Sequence, residues 1–192
     1  IFENKTNPPG DLRLANGPLI LNREVESELI STLYEMNSRE LDETSRDDAR
    51  YGNGICSPDF NFFEEDRSII KTVSEDLTNI MMEAVKTKIY IYDSFFNILS
   101  TGGGTTPHNH LNPALDNDVA LGLGRQKYSL VYYLSVGDQN CSDPGILRLY
   151  NPVTEILPCE GMITIIPASR PHSAVYGGKT DRVMIGVNFY SL

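Results

Sequence analysis

Tryptophan is absent from this chain of 192 residues, and histidine and cysteine occur three times each. Each scarcity excludes something. Cys56, Cys141 and Cys159 are an odd number without C-x-x-C spacing, which argues against a disulfide framework or a zinc knuckle and points to a reducing, cytoplasmic compartment. Basic residues are short as well: 16 Lys and Arg against 26 Asp and Glu leave a net charge of −10. No basic face is available to neutralise phosphates, so neither nucleic acid nor an acidic membrane surface is an expected partner. No apolar run approaches the roughly 18 residues that span a bilayer. The opening, IFENKTNPPGDLRL, has neither an initiator Met nor a signal-peptide core, as expected of a trimmed chain or a segment of a longer one.

What is present divides at about residue 88. Before it, LANGPLIL reads as a short apolar strand, and NREVESELISTLYEMNS places Val25, Leu29, Leu33 and Met36 at helical spacing with Asn22 as N-cap. A charged stretch over 38–60, containing Arg39, Arg46, Arg50 and Tyr51, is expected to be a long loop, either a lid over a peptide or a solvated connection. DRSIIKTVSEDLTNIMMEAVKT then repeats apolar residues from Ile69 to Val85 as a second amphipathic helix. After residue 88 the period becomes two. KIYIYDSFFNILS, QKYSLVYYLS, GILRLYNP, GMITIIP and DRVMIGVNFYSL are β-branched and aromatic runs between turn formers, and Gly177-Gly178 reads as a hairpin turn. The expectation is one domain over 1–192, mainly β within an α+β class. Helices and a long loop in 18–87 support a jelly roll in 88–192.

The three histidines then carry the chemistry. His108 and His110 are separated by one residue, so on an extended strand both imidazoles face one side. His172 lies beyond MITIIP in a Pro-rich turn, where a side chain can be aimed from the end of a strand. Such a set can hold Fe(II), Mn(II) or Zn(II) with positions left open. The plainer reading is three unrelated surface histidines. In the last strand, Arg182, Met184, Gly186 and Asn188 alternate with an apolar face of Val183, Ile185, Val187 and Phe189. An Arg and an Asn on one face point to a polar cavity, and the planar guanidinium suits a carboxylate.

The ordered set H-x-H, VYYL, GILRLYNP, EGMITIIPASRPH and DRVMIGVNFY resembles the non-haem Fe(II)/2-oxoglutarate-dependent dioxygenases, in particular their prolyl-hydroxylase-like branch, over about residues 90–192 and the helices before them. The resemblance implies a double-stranded β-helix buttressed by helices, with His108 and His172 as iron ligands. Arg182 and Tyr133 would bind the far carboxylate of 2-oxoglutarate, and Asn97 and Asn188 would be further polar groups of the pocket. It implies hydroxylation of a C–H bond in a peptide or small molecule with release of succinate and CO2, ascorbate being a candidate reductant. The departure is at His110, where the usual motif is H-x-D or H-x-E. His110 is read as the third ligand, with Asp116 and Asp118 as alternatives. The insert 111–126 is expected to rim the pocket, its acids favouring a cationic or neutral substrate. Rival readings are a three-His zinc or cupin-type enzyme without 2-oxoglutarate, and a non-catalytic jelly-roll binding module.

Overall fold

The computed structural model of the chain describes residues 3–4, 17–41, 50–51, 53–116 and 122–192. In chain order these form β1 (Glu3–Asn4), β2 (Leu19–Asn22), α1 (Ser27–Glu35), β3 (Arg39–Glu40), β4 (Arg50–Tyr51) and β5 (Gly54–Cys56). Then come α2 (Ser68–Val85), β6 (Ile89–Leu99), β7 (Gly103–His108), β8 (Lys127–Ser135) and β9 (Leu147–Leu149). β10 (Thr154–Ile156), β11 (Met162–Pro167), β12 (His172–Tyr176) and β13 (Arg182–Ser191) complete them.

The strands make two antiparallel sheets. The major one runs β1-β2-β11-β8-β13-β6-β5-β3, and the minor one β10-β9-β12-β7-β4. Strict alternation along the central strands explains the layering. Val183, Ile185, Val187 and Phe189 of β13 join Leu130, Tyr132 and Leu134 of β8 and the buried stripe of α2, from Ile70 through Leu77 to Val85, in one core on the helical side. The other face of the major sheet looks at the minor sheet, where Ile166 packs on Leu147 and Leu149. The cavity lies between the sheets.

Three local expectations give way to tertiary pairing. Asn22 does not cap α1: it is the last residue of β2, paired with Met162 of β11, and the helix begins five residues later at Ser27 behind Glu26. The bonds of a central sheet outweigh one N-cap. Gly177-Gly178 does not close a hairpin, because β12 pairs with β7 and β9 while β13 pairs with β6 and β8. The segment crosses between sheets instead. Tyr176 holds the crossing by accepting the Asp138 amide at 2.7 Å and donating to the Thr180 carbonyl. The stretch 38–60 is not one loop either, since β5 extends the major sheet along β6; Arg46 lies outside the described residues.

Cys56, Cys141 and Cys159 are free thiols. Among the described residues, no helix is long and apolar enough to cross a membrane.

Candidate metal centre

Strand register builds the site. His108 is the last residue of β7 and His172 the first of β12, and the two oppose each other across the antiparallel pair. Opposed residues hold their Cβ atoms roughly 5 Å apart. His110 lies two residues beyond the strand end, and its loop is fixed where its amide donates to the Ala168 carbonyl at 2.9 Å. The three rings nonetheless converge, with centroids 4.5 to 5.1 Å apart and potential ligand atoms all within 4.8 Å of one another.

Backbone carbonyls set the tautomers. His108 Nδ1 meets the Thr106 carbonyl at 2.8 Å and His172 Nδ1 the Arg170 carbonyl at 3.0 Å. A carbonyl only accepts, so each Nδ1 carries a hydrogen, and Nε2 is the nitrogen left to each neutral ring for a metal. Burial pushes the His172 imidazolium down to about 4, and the neighbouring His108 pushes the same way, so His172 is neutral near pH 7. His110 Nε2 and His172 Nε2 stand 3.1 Å apart. Two nitrogens bound at right angles to one ion at about 2.1 Å would be about 3.0 Å apart. The donor set fits a divalent cation of borderline softness, and among the described residues no carboxylate joins it.

Asp116 is occupied elsewhere. It accepts from Lys127 at 3.1 Å, from the Tyr190 hydroxyl at 2.7 Å and from the Asn112 amide at 2.6 Å. Burial alone would raise its carboxyl, but these donors together hold it below the ordinary value. That contribution to stability is complete above about pH 4, the unfolded carboxyl value, and is lost as pH falls through the depressed folded one. The Asp116–Lys127 ion pair, with both side chains buried, ties the loop after His110 to the start of β8. Lys127→Met removes the cation from a buried carboxylate and is expected to lower unfolding stability by about 3 kcal/mol, read from denaturant midpoints. A loss under about 1 kcal/mol would show that Tyr190 and Asn112 suffice. Asp118 lies outside the described residues.

The opposite end of the cavity holds Arg182. Its β13 face continues through Met184, opposed by Asn97 of β6 and Tyr133 of β8, and Gly186, opposed by Phe95 and Val131. All of these line the same cavity as the three histidines. Arg182 is 1% exposed, and no ion pair reaches it among the described residues. Its Nη1 donates to the Gly145 carbonyl at 2.6 Å, its guanidinium lies 5.0 Å from the Tyr133 ring centre, and its Nε has no partner. Burial pushes the guanidinium below its ordinary value, with Tyr133 pushing back; it remains charged, as arginines do. Burial likewise raises the Tyr133 hydroxyl, which stays a protonated donor beside Thr164 and Arg182. A buried cation with a vacant donor and no carboxylate is matched to an anionic ligand.

Asn97 faces the cavity with its Oδ1 unpartnered. Asn188 is two residues further along β13 from Gly186, outside the lining, and donates to Asp93 at 2.7 Å.

Gly145 was not singled out by its motif. A Cβ there would lie 1.4 Å from Arg182 Nη1, and its φ of +78° is itself a glycine conformation. Gly145→Ala is expected to displace the guanidinium and weaken binding of a carboxylate ligand about tenfold while leaving cation affinity within about twofold, a split that titration calorimetry reads directly. Gly186 is similar: a Cβ would lie 2.5 Å from the Phe95 ring. A glycine inside a β-branched strand is the available sequence signal for such close approach.

No protein-family model matches the sequence, and no curated protein matches it. Solved structures match its shape. An oxidoreductase of the 2OG-Fe(II) oxygenase family from Burkholderia pseudomallei superposes with a TM-score of 0.65 at 10% identity, over 98% of this chain and 93% of that one. A Trichoplax adhaerens prolyl hydroxylase in complex with a hypoxia-inducible-factor peptide fragment gives 0.65 at 19% identity, over 92% and 84%. The collagen prolyl hydroxylase of Paramecium Bursaria Chlorella virus-1, in its 2OG complex, gives 0.63 at 11% identity, over 95% and 100%. The chain therefore has the helix-buttressed double-stranded β-helix fold of 2-oxoglutarate/iron oxygenases.

Proposed function

We propose that this protein is an Fe(II)- and 2-oxoglutarate-dependent oxygenase that hydroxylates a C–H bond of a peptide side chain or small molecule. The observation that carries the reading is the buried Arg182, without a carboxylate partner among the described residues, in one cavity with three converging histidines. His108, His110 and His172 would hold the iron. Arg182 and Tyr133 would hold the far carboxylate of 2-oxoglutarate, with Asn97 available as a further polar contact. Bound iron would supply the activation of O2, with one oxygen atom going to succinate as CO2 leaves and the other to the substrate. The chain's own part is to orient the cosubstrate between the two ends of the cavity and to exclude bulk water with Phe95, Leu99, Val131 and Leu147.

Both substrate classes have precedent among structures of this shape: one neighbour holds a peptide fragment, and HygX from Streptomyces hygroscopicus holds hygromycin B beside nickel and 2-oxoglutarate. The acidic chain disfavours nucleic acid, and three free thiols fit a reducing cytoplasm. A three-His zinc hydrolase or a cupin-type enzyme would need only the metal end and would leave Arg182 without a ligand, and a non-catalytic binding module would have no need to keep all three histidines and Arg182 together. The test is anaerobic addition of Fe(II) and then 2-oxoglutarate to metal-free protein. A visible charge-transfer band on the second addition is expected. Iron binding with no band and no 2-oxoglutarate binding would turn the assignment toward those rivals.

A further inference from the structure

We infer that His110 makes binding of the divalent cation and of the 2-oxo dicarboxylate mutually dependent. This rests on the oxygenase reading above and deepens it. The cation end of the cavity presents three imidazoles, and among the described residues no carboxylate belongs to that cluster. The nearest candidate in sequence, Asp116, is committed to Lys127, Tyr190 and Asn112. With donors drawn from the described residues alone, a cation seated there would be bound by neutral imidazoles and would keep its full double charge within a cavity walled by Phe95, Leu99, Val131, Leu147 and Met184. Charge in so apolar a setting interacts far more strongly than in water. The first negative charge to reach the cation is then the C1 carboxylate of the dicarboxylate.

At the other end, Arg182 has no carboxylate partner among the described residues. It anchors the far carboxylate only when the ligand bridges the cavity. The dicarboxylate thus relieves two uncompensated charges at once, and each partner prepares the site for the other. Thermodynamic linkage requires the same factor in both directions. With aspartate at position 110, the protein would already supply one negative charge, and the carboxylate would add less.

The experiment is calorimetric titration of metal-free protein with Ni(II), a redox-inert probe, with and without saturating 2-oxoglutarate. For the unaltered chain, 2-oxoglutarate is expected to tighten Ni(II) by at least about tenfold, and Ni(II) to tighten 2-oxoglutarate by the same factor. His110→Asp is expected to bind Ni(II) more tightly alone and to reduce the coupling to about threefold or less. The C1 amide of 2-oxoglutarate, which keeps the keto oxygen and far carboxylate but loses the charge at the metal, is expected to give the unaltered chain no tightening. This arm stands even if His110→Asp fails to fold. Asp118→Asn is expected to change neither affinity. Coupling of equal size in His110→Asp, tightening by the amide, or loss of Ni(II) affinity in Asp118→Asn each overturns the inference while leaving the oxygenase reading in place. Absence of 2-oxoglutarate binding with Ni(II) bound overturns both.

Discussion

Arg182→Met weakens 2-oxoglutarate binding by about 30-fold or more, yet leaves the metal-free fold as stable as before or more so: that is the expected result of replacing a buried cation that has no carboxylate partner among the described residues. The guanidinium is 1% exposed and makes one hydrogen bond to a backbone carbonyl, with its Nε unpartnered. Its desolvation is offset only in part, by that carbonyl, by the hydroxyl and ring of Tyr133 and by the more distant Tyr176 ring. Exchanging buried charge for a well-packed apolar side chain is commonly neutral or stabilising by about 1–4 kcal/mol. The bound ligand experiences the opposite. Its far carboxylate would sit in the cavity with no countercharge, a loss of about 2–5 kcal/mol, and each 1.4 kcal/mol is about tenfold in affinity. Thermal melts of the metal-free protein and 2-oxoglutarate titration with Ni(II) present read the two sides separately. Unchanged 2-oxoglutarate affinity alongside a large drop in melting temperature would falsify the anion-site assignment and make Arg182 a structural residue. Such a divergence between stability and binding is expected where a group is retained for a ligand.

The second large effect belongs to His172. His172→Ala is expected to lower cation affinity by more than about 100-fold, beyond the 10–100-fold cost of losing an outer partner of a metal ligand. The ring is 6% exposed and its tautomer is set by the Arg170 carbonyl, so it enters the cluster already oriented and neutral. His108 opposes it across two strands, and His110 is tethered to Ala168. The remaining pair would bind an ion with two donors. Metal content after dialysis, measured beside the secondary-structure signal, separates loss of the ion from loss of the fold. Retention of stoichiometric metal by His172→Ala would move the site away from these three rings.

The architecture was largely readable because it rests on local periodicity. The two helices and the runs that became β6, β8, β11 and β13 announce themselves by spacings of 3.6 and 2.0, and those spacings follow from backbone geometry alone. The face of β13 carrying Arg182 was legible for the same reason. Position within the site was not. Asn188 shares that face with Arg182 but lies beyond the cavity, since alternation says which side a residue faces and not how far the opposing sheet extends.

What the sequence determined by itself, then, is the apolar stripe of α2, the inner and outer faces of the central strands and the shortlist of three histidines and one arginine. Each depends on residues close together in the chain. Tertiary structure alone decided which strands pair, and with that the rest. It opposed His108 to His172 across β7 and β12, and it sent residues 177–181 from one sheet to the other where a hairpin was expected. It took Asn22 into β2 and away from the helix cap, gave Asp116 to Lys127, and placed the Gly145 carbonyl on Arg182. The physical reason is common to all of these. Pairing between distant strands is selected by the joint burial of whole faces, and a face commits dozens of side chains at once, whereas a turn or a cap is worth about 1 kcal/mol and yields.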